Sequence, residues 1–133
     1  MNESWRPSKD APAPLVVALH GFLGNASTMQ GKTGFDRLSK SHGFVVVYPN
    51  GKGRRWNDGR STRNRTDDVD YLSSLIKKLI TDGTADPGRI FLAGHSNGGG
   101  MSMRMACDRP DLISSIAVIA TKKIGNRLPM RKR

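Results

Sequence analysis

A serine stands at the centre of the glycine-flanked motif Gly94-His95-Ser96-Asn97-Gly98. In a sharp turn from a strand into a helix, a G-x-S-x-G motif lifts the serine hydroxyl above the sheet and strains its backbone. Glycine is needed on each side because a Cβ there would collide with the neighbouring strand and helix. The motif therefore predicts Ser96 as the nucleophile of a covalent acyl transfer, with Gly94, His95 and Gly98 as supporting residues.

A second glycine motif could help to stabilise negative charge on a substrate oxygen. Asn97 would open the helix after the serine, where backbone N–H groups lack partners and the helix dipole is positive. The motif His20-Gly21-Phe22-Leu23-Gly24 follows an earlier apolar run. An H-G step in that place commonly turns a backbone N–H, here that of Phe22, toward the nucleophile. The two motifs predict one oxyanion hole formed by the amides of Phe22 and Asn97.

Other interpretations of these residues carry less support. The glycines after Ser96 resemble a phosphate cradle, but no lysine follows to complete a P-loop. His95 is better explained as a packing residue than as the general base, because neighbouring side chains in such a turn point apart. His20 could simply be the polar end of a strand. His42 suits the carboxyl end of a helix, where a cation favours the dipole.

The elements that would position the motifs alternate between strand and helix. Four short apolar runs, at 15–19, 44–48, 90–93 and 116–120, are apolar on both faces, which is typical of buried parallel strands. Apolar residues at helical spacing predict a helix from about 69 to 80, capped by Thr66 or Asp67 and ended by Gly83. Further helices are expected after Gly98 and over roughly 34–41. The pattern predicts an α/β fold whose mostly parallel sheet of about four strands has helices on both faces.

Composition limits the remaining possibilities. The chain has 133 residues, one cysteine and a formal charge of +11, so we expect one domain and no disulfide framework. No apolar run is long enough to span a membrane, and residues 1–14 lack the apolar core of a secretory signal. Basic residues cluster at 52–65 and 122–133. These clusters allow nucleic-acid binding, but we rank that function last because no recognition motif accompanies them and Trp56 is the one aromatic among them.

Six blocks in order resemble a known family. They are the runs at 14–22, 47–51, 56–59, 66–69, 86–90 and 94–99. Together they resemble the polyhydroxybutyrate depolymerase and feruloyl esterase group of α/β-hydrolases, which are esterases and often secreted. The resemblance implies Ser96 as nucleophile, Phe22 and Asn97 as oxyanion hole, Asp68 as a structural residue, and a loop carrying Trp56 and Asn57 near the substrate cleft. It implies no metal and no organic cofactor.

The chain departs from this family in one respect that affects its chemistry. The triad of this fold runs serine, acid, histidine along the chain, yet His20, His42 and His95 all precede Ser96. We therefore expect the central part of an esterase, cut at both ends, with feeble activity. The expected organisation is an extension at 1–14, a partial hydrolase domain at 15–120 and a disordered basic tail at 121–133. A natural short variant is the other possibility.

Several functional questions stay open from sequence. The substrate could be a small ester or one linked to a polymer, and acyl, feruloyl, acetyl and polyester chemistry all remain possible. A non-catalytic module that binds an ester or glycan is an alternative. The runs at 44–48 and 116–120 would lie at open sheet edges, which favours a homo-oligomer. The compartment is undetermined.

Overall fold

The strands of the described residues form one five-stranded sheet. The structure, a computed structural model, describes residues 1–4 and 11–119. The order in the sheet is β1-β3-β2-β4-β5. β1 is antiparallel to β3, and the other neighbouring pairs are parallel. The strands are β1 (Asn2–Glu3), β2 (Ala13–Leu19), β3 (Val45–Tyr48), β4 (Ala85–His95) and β5 (Ser115–Ile119).

Helices cover the sheet on both faces, as predicted, and the described residues form four of them where three were expected. They are α1 (Ala26–Thr33), α2 (Phe35–His42), α3 (Asp68–Thr81) and α4 (Asn97–Asp108), with a short 3₁₀ turn at Lys52–Arg54. On one face, Leu15, Val17 and Leu92 pack in a core with residues of α3 and α4. On the other face, Val46 and Tyr48 pack with residues of α1. Alternate residues of each central strand thus enter opposite cores, which explains the continuous apolar runs.

One of the two edges of the sheet differs from the expectation. β3 was expected at an open edge, and that prediction is wrong because Asn2 and Glu3 pair with Tyr48 and Val47. A two-residue strand has no sequence signal of its own, so the bounds of β1 could not be predicted. β5 does lie at an edge of the described sheet, as predicted. Ala120 and the basic tail lie outside the described residues.

Local signals explain how the helices begin. The Asp67 side chain accepts the backbone N–H of Asp70 at 3.0 Å, so Asp67 rather than Thr66 caps α3. α1 was not predicted, because Met29 is its only large apolar residue. Its capping box, in which Asn25 and Thr28 exchange backbone-to-side-chain hydrogen bonds at 2.9 Å, is the signal that could have shown it.

Within the described ranges, none of the helices has the length and apolar character needed to cross a bilayer.

Candidate active site

Ser96 occupies the turn between β4 and α4. Its backbone angles are φ 54° and ψ −117°, and a positive φ is strained for a residue that has a Cβ. A Cβ on Gly94 would overlap the carbonyl of Gly98, and a Cβ on Gly98 would overlap the carbonyl of Leu19. The turn therefore has the geometry that the motif predicts, and both flanking glycines are required by close backbone packing.

The loop that follows β2 lies beside this turn. Leu19 is the register partner of Gly94, so the carboxyl ends of β2 and β4 bring the two glycine motifs together. A Cβ built on Gly21 would lie 3.4 Å from the Cβ of Ser96. The loop is itself constrained, because Leu23 has a φ of 64° and donates its N–H to the carbonyl of Arg54 at 2.7 Å.

The two amides expected in the oxyanion hole are alike in their hydrogen bonding. Among residues 1–4 and 11–119, neither the Phe22 nor the Asn97 backbone N–H donates to a protein acceptor. The Asn97 N–H lies in the first turn of α4, where the helix has no acceptor for it. Phe22 lines the pocket that contains Ser96, whereas Asn97 does not, and the catalytic role of both amides stays a prediction.

One pocket contains Ser96. It is lined by residues of the two glycine motifs and by three residues of α1, namely Thr28, Met29 and Lys32. The contribution of α1 was not foreseen from sequence, because which side chains of this helix reach the site depends on how the helix docks. The residues lining this pocket are His20, Gly21, Phe22, Gly24, Thr28, Met29, Lys32, His95 and Ser96.

His20 is held in one protonation state by its neighbours. Its side chain is buried, its Nδ1 lies 2.7 Å from the Gly21 carbonyl oxygen, and its Nε2 accepts the N–H of Gly51 at 2.9 Å. A carbonyl can only accept, so Nδ1 carries the proton and the ring is neutral. Burial lowers the pKa of His20, and the charge of Arg54 lowers it further. Both nitrogens are engaged in hydrogen bonds with the backbone, which fits the prediction of a support residue better than that of a base.

The other two histidines lie in different surroundings. His95 lines the pocket, and a Cβ on Gly21 would lie 3.0 Å from its Nδ1. The ring of His95 therefore rests against the loop after β2, as a packing residue would. His42 lies at the carboxyl end of α2, where its Nδ1 is 3.2 Å from the carbonyl oxygen of Leu38. His42 is exposed and does not line the Ser96 pocket.

Trp56 and Asn57 do not line the pocket that contains Ser96, and the expectation that their loop lies near the substrate cleft stays a prediction. The Trp56 side chain is only 2% exposed, and its indole N–H donates to the carbonyl of His20 at 2.9 Å. The Asn57 N–H donates to Asp68 at 2.7 Å, and its side chain donates to the Thr66 carbonyl at 2.9 Å. The loop does lie beside the site, but these two residues hold it in place from the inside.

The acid of a triad in this fold follows the serine along the chain, and neither carboxylate that follows Ser96 lies beside it in the described residues. The carboxylates after Ser96 are Asp108 and Asp111. Asp108 pairs with Arg104 at 3.4 Å and Asp111 pairs with Arg109 at 3.1 Å, at or beyond the carboxyl end of α4. That end lies about 18 Å from Ser96, at about 1.5 Å per helical residue. In the same described ranges, no three His, Cys, Asp or Glu residues are grouped so as to hold a metal.

The chain is similar to known esterases. A family model described as "Esterase PHB depolymerase" matches residues 8–127. The chain is 32% identical over 112 residues to feruloyl esterase B of Piromyces equi, covering 81% of this chain and 21% of that protein. It is 32% identical over 118 residues to poly(3-hydroxyalkanoate) depolymerase C of Paucimonas lemoignei, covering 83% of this chain and 28% of that protein.

Solved structures share the fold. The acetyl xylan esterase from Aspergillus awamori superposes with a TM-score of 0.74 at 24% identity, over 92% of this chain and 46% of that one. The fluorophosphonate-binding serine hydrolase FphF of Staphylococcus aureus gives 0.70 at 19% identity, over 84% of this chain and 43% of that one. The chain thus spans less than half the length of these relatives, and its sheet is a partial α/β-hydrolase sheet. By its sequence and its fold, the chain belongs to the esterase PHB depolymerase family.

Proposed function

We propose that this chain carries the nucleophile and the oxyanion hole of a serine carboxylic-ester hydrolase. The observation that supports the proposal is Ser96 in a strained strand-to-helix turn, next to two backbone amides without protein acceptors. Strain of this kind persists where the surrounding packing enforces it, and it is typical of catalytic sites. The substrate class is a carboxylic ester, either small or linked to a polymer, as the names of the relatives suggest for those proteins.

The reaction would proceed in two stages. Ser96 Oγ attacks the ester carbonyl, its proton passes to a base, and the carbonyl oxygen becomes an oxyanion held by the amides of Phe22 and Asn97. The carbon–oxygen bond to the alcohol then breaks, the alcohol leaves with the proton, and an acyl-serine remains. Water attacks this acyl-serine and releases the carboxylic acid and the free serine.

The first step needs a base, and we assign no residue of this chain to that role. No histidine follows Ser96 in the sequence, and His20 has both ring nitrogens engaged. A serine hydroxyl without a base is a poor nucleophile at neutral pH. Loss of a triad histidine leaves about 10³–10⁴-fold acceleration over water, from oxyanion stabilisation and binding. We therefore expect slow, Ser96-dependent hydrolysis from the 133-residue chain.

Hydrolysis of activated esters tests this proposal. The purified chain is compared with Ser96→Ala on p-nitrophenyl acetate and butyrate, with Ser41→Ala as the matched control because Ser41 is exposed on α2. A slow rate that Ser96→Ala abolishes and Ser41→Ala leaves unchanged supports the proposal. Equal rates in all three proteins contradict it for this chain.

Labelling with a fluorophosphonate gives an independent measurement. The reagent forms a covalent bond to an activated serine with loss of fluoride, and peptide mass spectrometry locates the adduct. We expect the adduct at Ser96. Saturable binding of an ester without turnover and without labelling would instead favour a non-catalytic ester- or glycan-binding module.

A further inference from the structure

Trp56 contacts both glycine motifs through buried hydrogen bonds. Its indole N–H donates to the carbonyl of His20 at 2.9 Å. Its backbone N–H donates to Asn97 Oδ1 at 2.7 Å, and its backbone carbonyl accepts from Asn97 Nδ2 at 3.1 Å. Because these bonds are buried, they cannot exchange with water, and breaking one leaves a polar group unpaired. A single residue therefore connects the loop after β2 with the first residue of α4.

On the β2 side, hydrogen bonds to the Gly21 carbonyl orient the peptide group that contains the Phe22 N–H. That group consists of the Gly21 carbonyl and the Phe22 amide, which point in opposite directions in a planar trans peptide. The Gly21 carbonyl accepts from His20 Nδ1 at 2.7 Å and from the Gly24 N–H at 3.0 Å. The direction of the Phe22 N–H is thus fixed by the imidazole of His20.

The imidazole is held in turn by the loop at residues 51–58. Gly51 donates its N–H to His20 Nε2 at 2.9 Å, and the ring of His20 lies 5.0 Å from that of Trp56. The indole N–H of Trp56 also holds the His20 carbonyl. The position of His20, and through it the direction of the Phe22 amide, therefore depends on the same loop.

On the α4 side, the side chain of Asn97 uses both N–H donors and one acceptor site of its oxygen. Its oxygen accepts from Trp56, and its nitrogen donates to the Trp56 carbonyl and to Asp58 at 3.0 Å. Asp58 is buried and is neutralised by Arg60 at 2.6 Å. The peptide group that carries the Asn97 N–H is also fixed through its carbonyl, because the Ser96 carbonyl accepts the N–H of Gly100 at 3.1 Å.

We propose that Trp56 is a positioning residue that sets both amides of the oxyanion hole relative to each other. The inference rests on the proposed function, since only that function gives the two amides a common ligand. Amide donors stabilise an oxyanion only when they are aligned before the reaction begins, and loss of one donor costs about 10²–10³ in kcat. One loop that orients both donors keeps their separation constant when either strand end moves.

Trp56→Phe tests the proposal, because it removes the indole N–H and keeps an aromatic ring in the core. We expect the backbone amide resonance of Phe22 to move in a ¹⁵N–¹H spectrum of the full chain, because the indole N–H holds the His20 carbonyl. The Asn97 resonance should move less, because Trp56 contacts Asn97 through backbone groups that the substitution keeps. On p-nitrophenyl butyrate, the Ser96-dependent kcat should fall about 10-fold, a partial loss of one donor, with KM within about two-fold because ground-state binding is unaffected.

Tyr71→Leu is the matched control. Tyr71 stacks on Trp56 with ring centroids 6.5 Å apart, so its loss loosens the packing of the indole and leaves the indole hydrogen bond. We expect both kcat and the Phe22 resonance to stay close to those of the parent chain. A Phe22 resonance that does not move in folded Trp56→Phe, or equal effects of the two substitutions, would overturn the proposal.

The two readouts separate failure of this inference from failure of the proposed function. If the parent chain shows no Ser96-dependent hydrolysis, the proposed function fails, and the spectra still decide whether Trp56 orients the two amides. If Trp56→Phe does not fold, Asp58→Asn replaces it, because it weakens the hold on Asn97 and leaves Trp56 in place. An unchanged Asn97 resonance in Asp58→Asn would then refute the proposal.

Discussion

The backbone N–H of Gly51 donates to Nε2 of His20 over 2.9 Å. This bond exists only while Nε2 keeps its lone pair, that is, while the imidazole is neutral. Protonation of His20 at Nε2 would place an N–H donor opposite the N–H donor of Gly51 in a buried site. The structure therefore links the loop at residues 51–58, and the site it supports, to the protonation of one histidine.

Stability should fall in mild acid because of His20. Burial lowers the pKa of His20 in the folded chain, so the unfolded chain binds a proton first as the pH falls below about 6.5. Folding stability from this group is complete above that pH and is lost at lower pH, by at most about 1.4 kcal/mol per pH unit. Burial also raises the pKa of Asp68, which acts in the opposite sense.

Urea unfolding at pH 7.5 and 5.5 measures this effect, with His20→Gln as the comparison. The parent chain should lose more stability between the two pH values than His20→Gln does. The comparison cancels the contribution of Asp68, which both proteins share. Equal losses of stability in the two proteins would show that unfolding does not change proton binding by His20.

Much of the fold could be predicted from the sequence because its strands are buried on both faces. Val17 and Val46 face opposite cores, so the apolar runs are continuous and easily recognised. α1 and β1 were missed for physical reasons. α1 has too few apolar residues for a periodic pattern, and β1 exists because Asn2 and Glu3 meet the edge formed later in the chain by Tyr48 and Val47.

For the site, only the backbone geometry could be predicted from the sequence. The glycines at 94 and 98 indicate the turn directly, because their close packing permits no Cβ. The side chains around the turn depend on tertiary packing. Trp56 was assigned to a cleft by the resemblance of its loop, yet its indole is buried against His20 and Tyr71. Lys32 gave no signal, since its position at the pocket follows from how α1 docks.

Gly98→Ala should be strongly destabilising. The new Cβ would overlap the carbonyl of Leu19 in β2, so the backbone must shift at a point where β2, β4 and α4 meet. Overpacking of this kind costs about 1–3 kcal/mol or more. Gly31→Ala is the matched control, because nothing lies within 4 Å of a Cβ at this position in α1. It should stabilise the chain by about 0.5–1 kcal/mol, so thermal melts should shift in opposite directions.

Lys32 should favour esters whose acyl group carries a negative charge. It lines the Ser96 pocket, and among the described residues no carboxylate forms an ion pair with it. An exposed ion pair contributes about 0.2–1 kcal/mol. Lys32→Met should therefore lower kcat/KM about two- to five-fold for the p-nitrophenyl monoester of adipic acid and leave p-nitrophenyl hexanoate unchanged. Salt should reduce the difference. An equal loss on both esters would exclude a role of charge.

The outer edge of β5 should cause the chain to self-associate. In the part of the sheet that the structure describes, no strand pairs with that edge, and Val118 is 38% exposed. An apolar strand at the edge of a sheet pairs readily with another chain. Light scattering after size exclusion should show a concentration-dependent shift from monomer to dimer. Val118→Lys should move the equilibrium toward monomer, because a charge on an edge strand opposes pairing. Thr81→Lys, which adds the same charge on α3 far from that edge, is the control. A parent chain that stays monomeric at all concentrations would contradict the prediction.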